Sequence, residues 1–145
     1  MKCIACIITF LVLLSTNIFS EEIMLHMKII KVSDGDTLVG RYYNLPVKIR
    51  LANIDAFEIT TNSRILKQIT ATHLLANTIL ELGKQAKEVA TDYVSKNDNY
   101  VCIKCNTKKL LDKYGRYLGV VYSNYNCEGK SLNDILLEKN LAIPY

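Results

Sequence analysis

The strongest constraint on this chain is the order in which its hydrophobic periodicity changes. Met24 to Val32 alternates loosely and reads as a first strand, and Asp34-Gly35-Asp36 is a turn signal. Thr37 to Tyr43 is rich in β-formers and predicts a second strand, with Asn44 and nearby Pro46 marking the next turn. Val47, Ile49 and Leu51 then alternate with Lys48 and Arg50, a third strand with one apolar face. Within 59–82, Ile65, Ile69, Thr72, Ala76 and Ile79 follow a helical stripe, so part of that stretch is helix. From Gly83 the pattern is clean: Ala86, Val89, Ala90, Tyr93 and Val94 stand at helical spacing until Asn97-Asp98-Asn99 breaks it. Tyr100 to Thr107 and Tyr117 to Tyr122 read as the fourth and fifth strands, joined by a basic connection. Ser131 and Asp134 stand in capping-box spacing and open a short helix through Lys139, which Asn140 is suited to stop in a left-handed conformation. Three strands, a helix, two strands and a short C-terminal helix is the arrangement of a five-stranded OB-fold β-barrel, an α+β fold.

The length of 145 residues allows one domain and leaves no room for a Rossmann pair, a TIM barrel or a solenoid. The first 20 residues stand apart from that domain. A basic start at Lys2, an apolar run from Cys3 to Leu14, polar Ser15-Thr16-Asn17 and small Ser20 before Glu21-Glu22 read as a secretory signal cleaved near Ser20. The apolar run is short of the roughly 20 residues a membrane span needs. The expectation is an exported domain over 21–145, secreted or periplasmic, with no stable membrane association after cleavage. Removal of Lys2 lowers the formal charge of +4 by one, a balance compatible with a polyanionic partner but too small for a dedicated nucleic-acid coat.

Cys102, Cys105 and Cys127 remain after cleavage, so at most one intramolecular disulfide forms. Zinc lacks a second ligand pair, since only His26 and His73 exist and neither is placed as a finger requires. In an extended strand, residues three apart lie about 10 Å apart on opposite faces, and a disulfide needs Cα atoms within about 7 Å. Cys102 and Cys105 therefore do not pair with each other. Cys105 shares a face with Val101 and Ile103, and Cys102 with Lys104 and Asn106. The hypothesis is a Cys102–Cys127 bridge with Cys105 a buried thiol; three free thiols are the alternative.

Three clusters place ionisable groups where strands end: Asp34-Gly35-Asp36-Thr37, then Arg50 to Glu58, then Asp112-Lys113-Tyr114-Gly115-Arg116. Each alone reads as an ordinary turn or a solvated face. Together they offer two carboxylates and a carbonyl, which suit a hard cation such as Ca²⁺. Two arginines present planar forks to a phosphate, and a further carboxylate takes a proton from water. That is equipment for metal-assisted hydrolysis of a phosphodiester.

At these residues the chain resembles the staphylococcal nuclease (thermonuclease) family. The resemblance runs through Val32-x-Asp34-Gly35-Asp36-Thr37, Ile49-Arg50-Leu51-x-x-Ile54-Asp55-x-x-Glu58, Gly83-x-x-Ala86 and Asp112-Lys113-Tyr114-Gly115-Arg116. It continues through Leu132-Asn133, Leu136 and Asn140-Leu141-Ala142. It implies that Asp36 and Asp55 bind Ca²⁺ through their carboxylates, joined by the backbone carbonyl of Ala56. It makes Glu58 the general base or the group that orients the attacking water, and Arg50 and Arg116 the groups that grip the phosphate. Tyr114 lines the nucleotide pocket with Lys113 beside it, and Tyr145 is a candidate for a second pocket tyrosine. DNA and RNA are the implied substrates of a monomer leaving 3′-phosphates. The chain departs from the pattern at Ala56-Phe57, where the family usually has Thr-Pro, and the loss of proline loosens the turn presenting Glu58. The segment between Glu58 and Gly83 is longer than in the family's best-known member, and the family's terminal helix has no counterpart before Tyr145, which bears on stability. The competing class is a non-catalytic OB-fold module holding nucleic acid or a protein partner, which has no use for the acid, base and arginine set.

Overall fold

The computed structural model describes residues 21–145, and the expected leader lies outside them. The elements in order are β1 (Glu22–Val32), β2 (Thr37–Tyr42), β3 (Leu45–Leu51), β4 (Ile54–Ala56), α1 (Ser63–Thr72), α2 (Ala76–Ser95), β5 (Tyr100–Asn106), β6 (Tyr117–Tyr122), α3 (Leu132–Glu138) and β7 (Ala142–Pro144). A closed barrel runs β1-β2-β3-β6-β5, and β4 pairs with β7 in a separate two-stranded sheet. This is the α+β OB-fold architecture that the periodicity implies.

One long strand serves two neighbours. The first part of β1, to Lys28, pairs with β5 and the part from Lys28 with β2, whose ladder carries a register shift between Ile29 and Lys31. Tyr43 and Asn44 both have positive φ, as a two-residue hairpin between β2 and β3 demands. The parallel pairing of β3 with β6, Ile49 opposite Tyr117 and Leu51 opposite Gly119, closes the barrel. Leu38, Ile49, Ile103 and Val121 fill its interior with no exposed surface, each contributing roughly 1.5–3 kcal/mol by burial. From α2, Ala86, Ala90, Tyr93 and Val94 lie against that core, so the barrel end is covered by a helix of mostly small residues.

The expected capping at the C-terminal end holds, with α3 ending at Glu138 and Lys139 its C-cap, while the strand β7 that follows is one the periodicity does not show. Ser131 and Asp134 form the reciprocal capping box of α3, and Asn140 turns left-handed at φ 54 as Leu141 N–H reaches the Leu136 carbonyl at 2.8 Å. Cys102 and Cys127 are bridged, with Cα atoms 5.3 Å apart. Cys105 is a buried free thiol that burial pushes up to about 11.

The helical region differs from the periodicity. The stripe from Ile65 to Ile79 is two helices, and the second begins at Ala76, well before Gly83. The break carries no ordinary punctuation. His73 ends α1 in a left-handed conformation that glycine usually takes, and Leu75 enters α2 without a side-chain cap. Two helices therefore stand between the third and fourth barrel strands. Among the described residues no helix is long and apolar enough to cross a membrane.

Candidate active site

The turn between β1 and β2 and the chain leaving β3 build the first half of the site. Ser33 N–H donates to the Thr37 carbonyl at 2.9 Å, closing the Asp34-Gly35-Asp36 turn, and Asp34 accepts the Asp36 N–H at 3.2 Å. Asp36 thereby faces inward and is almost fully buried. Its Oδ2 accepts the Ala56 N–H at 2.6 Å and its Oδ1 accepts the Thr37 hydroxyl at 3.1 Å. Asn53, left-handed at φ 62, turns the chain back into β4, which brings Asp55 alongside Arg50.

Two glycines permit this closeness. A Cβ on Gly35 would lie 2.6 Å from the Ala86 methyl and 2.8 Å from that of Ala56, and one on Gly83 would collide with the Glu58 carbonyl. The Gly83-x-x-Ala86 spacing is thus explained: it is the surface of α2 against which both acidic loops are pressed.

Arg50 lies at the centre. It stands off the apolar face of β3, as strand alternation implies, yet its side chain is only 9% exposed. Nη1 rests against Asp36 Oδ1 with no other partner among the described residues, while Nη2 donates to Asp55 Oδ1 at 2.6 Å and to the Ile54 carbonyl at 3.3 Å. Burial pulls the guanidinium below its ordinary value. The hydrogen bond and charge of Asp55 oppose that, and the positive charges of Arg64 and Arg116 add to it. Arg50 therefore senses both of the other guanidinium groups.

Helix α1 supplies residues that the motifs do not mark. Arg64 Nη2 pairs with Asp55 Oδ1, and its Nε lies 3.1 Å from Glu58 Oε1. Asn62 donates to Glu58 Oε2 at 2.6 Å. Buried Gln68 donates through Nε2 to Asp55 Oδ2 at 3.1 Å and to the Ala56 carbonyl at 2.9 Å, and accepts the Glu58 N–H at 3.0 Å. One signal was present in the sequence, since Asn62 before the Ile65 stripe has the character of a helix N-cap. Its oxygen does accept the Arg64 N–H at 2.8 Å. Gln68 falls within the Ile65–Thr72 stripe, a polar residue on the apolar face of the helix, while Arg64 carried no signal that separates it from a solvated helix face.

The second half of the site is the turn before β6. Asp112 Oδ1 accepts the N–H groups of Tyr114 at 2.8 Å and Arg116 at 3.0 Å, and its Oδ2 accepts Arg116 Nε at 2.7 Å. Burial pushes the Asp112 carboxyl up, but the donors of Arg116 and Tyr114 outweigh it and hold the group below the usual carboxylate range. Tyr114 is 71% exposed. Its ring has Lys113 Nζ 5.0 Å and the Arg116 guanidinium 5.5 Å from its centre. The parallel register sets Arg116 one residue before the partner of Ile49, at the edge of the strand pair that carries Arg50. Asp36, Arg50, Asp55, Ala56 and Glu58 are thus joined in one network, and Lys113, Tyr114 and Arg116 form a neighbouring one coupled to it by charge. Tyr145 projects into solvent beyond β7, its N–H on the Asn53 carbonyl at 3.0 Å.

Among the described residues no three His, Cys, Asp or Glu side chains converge as a metal cluster. The set for a cation is two carboxylates and a main-chain carbonyl. Asp36 and Asp55 share one guanidinium, and Asp55 and the Ala56 carbonyl share one amide nitrogen. All three donors are oxygen, the type a hard cation takes, and the guanidinium groups of Arg50 and Arg64 and the Gln68 amide engage them here.

A family model described as staphylococcal nuclease homologue matches residues 48–145. The chain belongs to the staphylococcal nuclease family. An uncharacterized protein of Methanocaldococcus jannaschii is 31% identical over 125 residues, covering 81% of this chain and 58% of its own length. A protein of Shigella flexneri named micrococcal nuclease is 25% identical over 123 residues, covering 81% of this chain and 57% of its own. The chain spans little more than half the length of these curated relatives.

Proposed function

We propose that this protein is an exported, calcium-dependent phosphodiesterase that hydrolyses DNA and RNA. The observation that carries the reading is the joining of Asp36, Arg50, Asp55, the Ala56 carbonyl and Glu58 in one network, beside a turn that offers Arg116 and an exposed tyrosine. A structural salt-bridge cluster has no need of Glu58 or of the Tyr114–Arg116 turn.

In this reading Asp36, Asp55 and the Ala56 carbonyl hold Ca²⁺, which supplies positive charge for phosphate oxygens and for water. Glu58 accepts the proton of the attacking water or orients it. The water oxygen forms a new bond to phosphorus, the bond to the 5′ oxygen breaks, and that oxygen takes a proton from solvent to leave as a 5′-hydroxyl, the phosphate staying on the 3′ oxygen. Arg50 and Arg116 meet the negative charge on the phosphate with planar donor pairs. The Tyr114 ring is placed to stack on a base or sugar, with Lys113 near the chain of phosphates.

Plasmid nicking and RNA degradation test this. Mature protein should cut both substrates in Ca²⁺ and neither in excess EGTA. Glu58→Gln should lower the rate by about 10²–10⁴-fold, the usual share of a general base, while nucleic-acid binding persists. Wild-type protein that binds DNA and RNA in Ca²⁺ but leaves both intact refutes the enzyme and favours a binding module.

A further inference from the structure

We propose that α1 is a positioning device for the Glu58 carboxylate, with Gln68 fixing the backbone and Arg64 and Asn62 fixing the side chain; this rests on the phosphodiesterase reading above. Position 57 is where the family pattern has proline, and here it is Phe57. The aromatic ring is buried with Ile65 of α1 and Ile79 of α2, so the residue that gives up the rigid turn anchors the inserted helix in its place. Its N–H also reaches the Leu141 carbonyl at 3.4 Å, which a proline could not do.

Gln68 then spans the gap. Its amide touches the backbone on both sides of Phe57, accepting from Glu58 N–H at 3.0 Å and donating to the Ala56 carbonyl at 2.9 Å. At 2% exposure it has no water to exchange with. A buried amide on the apolar face of a helix is costly unless its bonds are made, and here one side chain satisfies two main-chain groups and Asp55 Oδ2. The Glu58 carboxylate is held independently, one donor to each oxygen: Arg64 Nε on Oε1 and Asn62 Nδ2 on Oε2. A carboxylate has about four lone-pair sites, so two donors set its plane and leave acceptor capacity for a water. Helix capping accounts for Asn62 Oδ1, but not for the bonds made by its amide nitrogen, by Arg64 or by Gln68.

The test is a double-mutant cycle with Glu58→Gln, read by steady-state cleavage, thermal melting and amide hydrogen exchange. Gln68→Met, which keeps length and apolar packing, should lower kcat by about 10–100-fold, as loss of supporting hydrogen bonds does elsewhere, with KM little changed. It should also raise hydrogen exchange at the Glu58 amide by at least about tenfold through local opening. Arg64→Met, at a side chain 44% exposed and so at a small cost to folding, should lower kcat in the same way. In the Glu58→Gln background, measured at saturating Ca²⁺ so that the contacts to Asp55 and the Ala56 carbonyl are not read as lost metal, neither change should lower kcat further. Equal losses in both backgrounds, or unchanged exchange at the Glu58 amide in Gln68→Met, overturn the proposal. If Gln68→Met does not melt cooperatively, the Arg64→Met cycle decides alone. Wild-type protein without cleavage is a different failure: it removes the phosphodiesterase reading, while the exchange measurement still decides whether Gln68 holds the Glu58 backbone.

Discussion

Arg50 lies in β3 and Arg116 in the turn just before β6, the strand that runs parallel beside it, yet the circumstances of the two guanidinium groups differ. The Arg50 side chain is 9% exposed and shared between Asp36 and Asp55, while that of Arg116 is 21% exposed and leans on Asp112 through Nε alone among the described residues. The first is part of what holds the fold's acidic loops together. For Arg50 to meet a phosphate, one of its carboxylate contacts must be exchanged. Arg116 keeps donors in hand, five being available on a guanidinium, and needs no exchange. A guanidinium committed to carboxylates and one with donors to spare are thus separated by burial and by the number of carboxylates around them, not by residue type.

The comparison breaks most easily at Arg50. Arg50→Ala leaves Asp36 and Asp55 buried without their shared cation, and should cost about 3–5 kcal/mol of stability as well as activity; a melt matching wild type would show that Arg50 is not structural. Arg116→Ala should lower cleavage by about 10²–10³-fold, the scale of one lost transition-state donor. Its effect on the melt should stay within about 1 kcal/mol, as for a partly exposed pair. A large loss of stability there would erase the distinction. The smallest effect concerns acid. Asp112 is held below the usual carboxylate range, so its contribution is present at neutral pH and is lost as pH falls through the folded value. The amide signals of Tyr114 and Arg116 should shift together in that acid window before the barrel unfolds. Shifts that begin within the usual carboxylate range would show that the Asp112 bonds are weak in solution.

Much of this was legible in the chain because it rests on short-range rules. Alternation at Val47 to Leu51 gave a strand, Ser131 with Asp134 gave a cap, and opposite-face geometry separated Cys102 from Cys105 and left Cys127 as its partner. The acidic and basic motifs fell in the right loops because strands end where their apolar alternation ends. The remainder was hidden for physical reasons. β4 and β7 are three residues each, too short to show a period, and exist only because they pair with each other. The α1–α2 break is made by His73 and Leu75, neither a usual stop or start. Arg64 and Gln68 reach back only to Asp55, Ala56 and Glu58, but through side-chain contacts that no periodicity records.

The pairing of β4 with β7 reaches beyond packing into the timing of synthesis. Asp36, Arg50 and Asp55 leave the ribosome early, but the strand bearing Asp55 has no neighbour until Ala142–Pro144 are made. At about 5–20 residues per second, that wait lasts on the order of ten seconds. The strand that carries Asp55 is thus among the earlier ones made and the last to be paired.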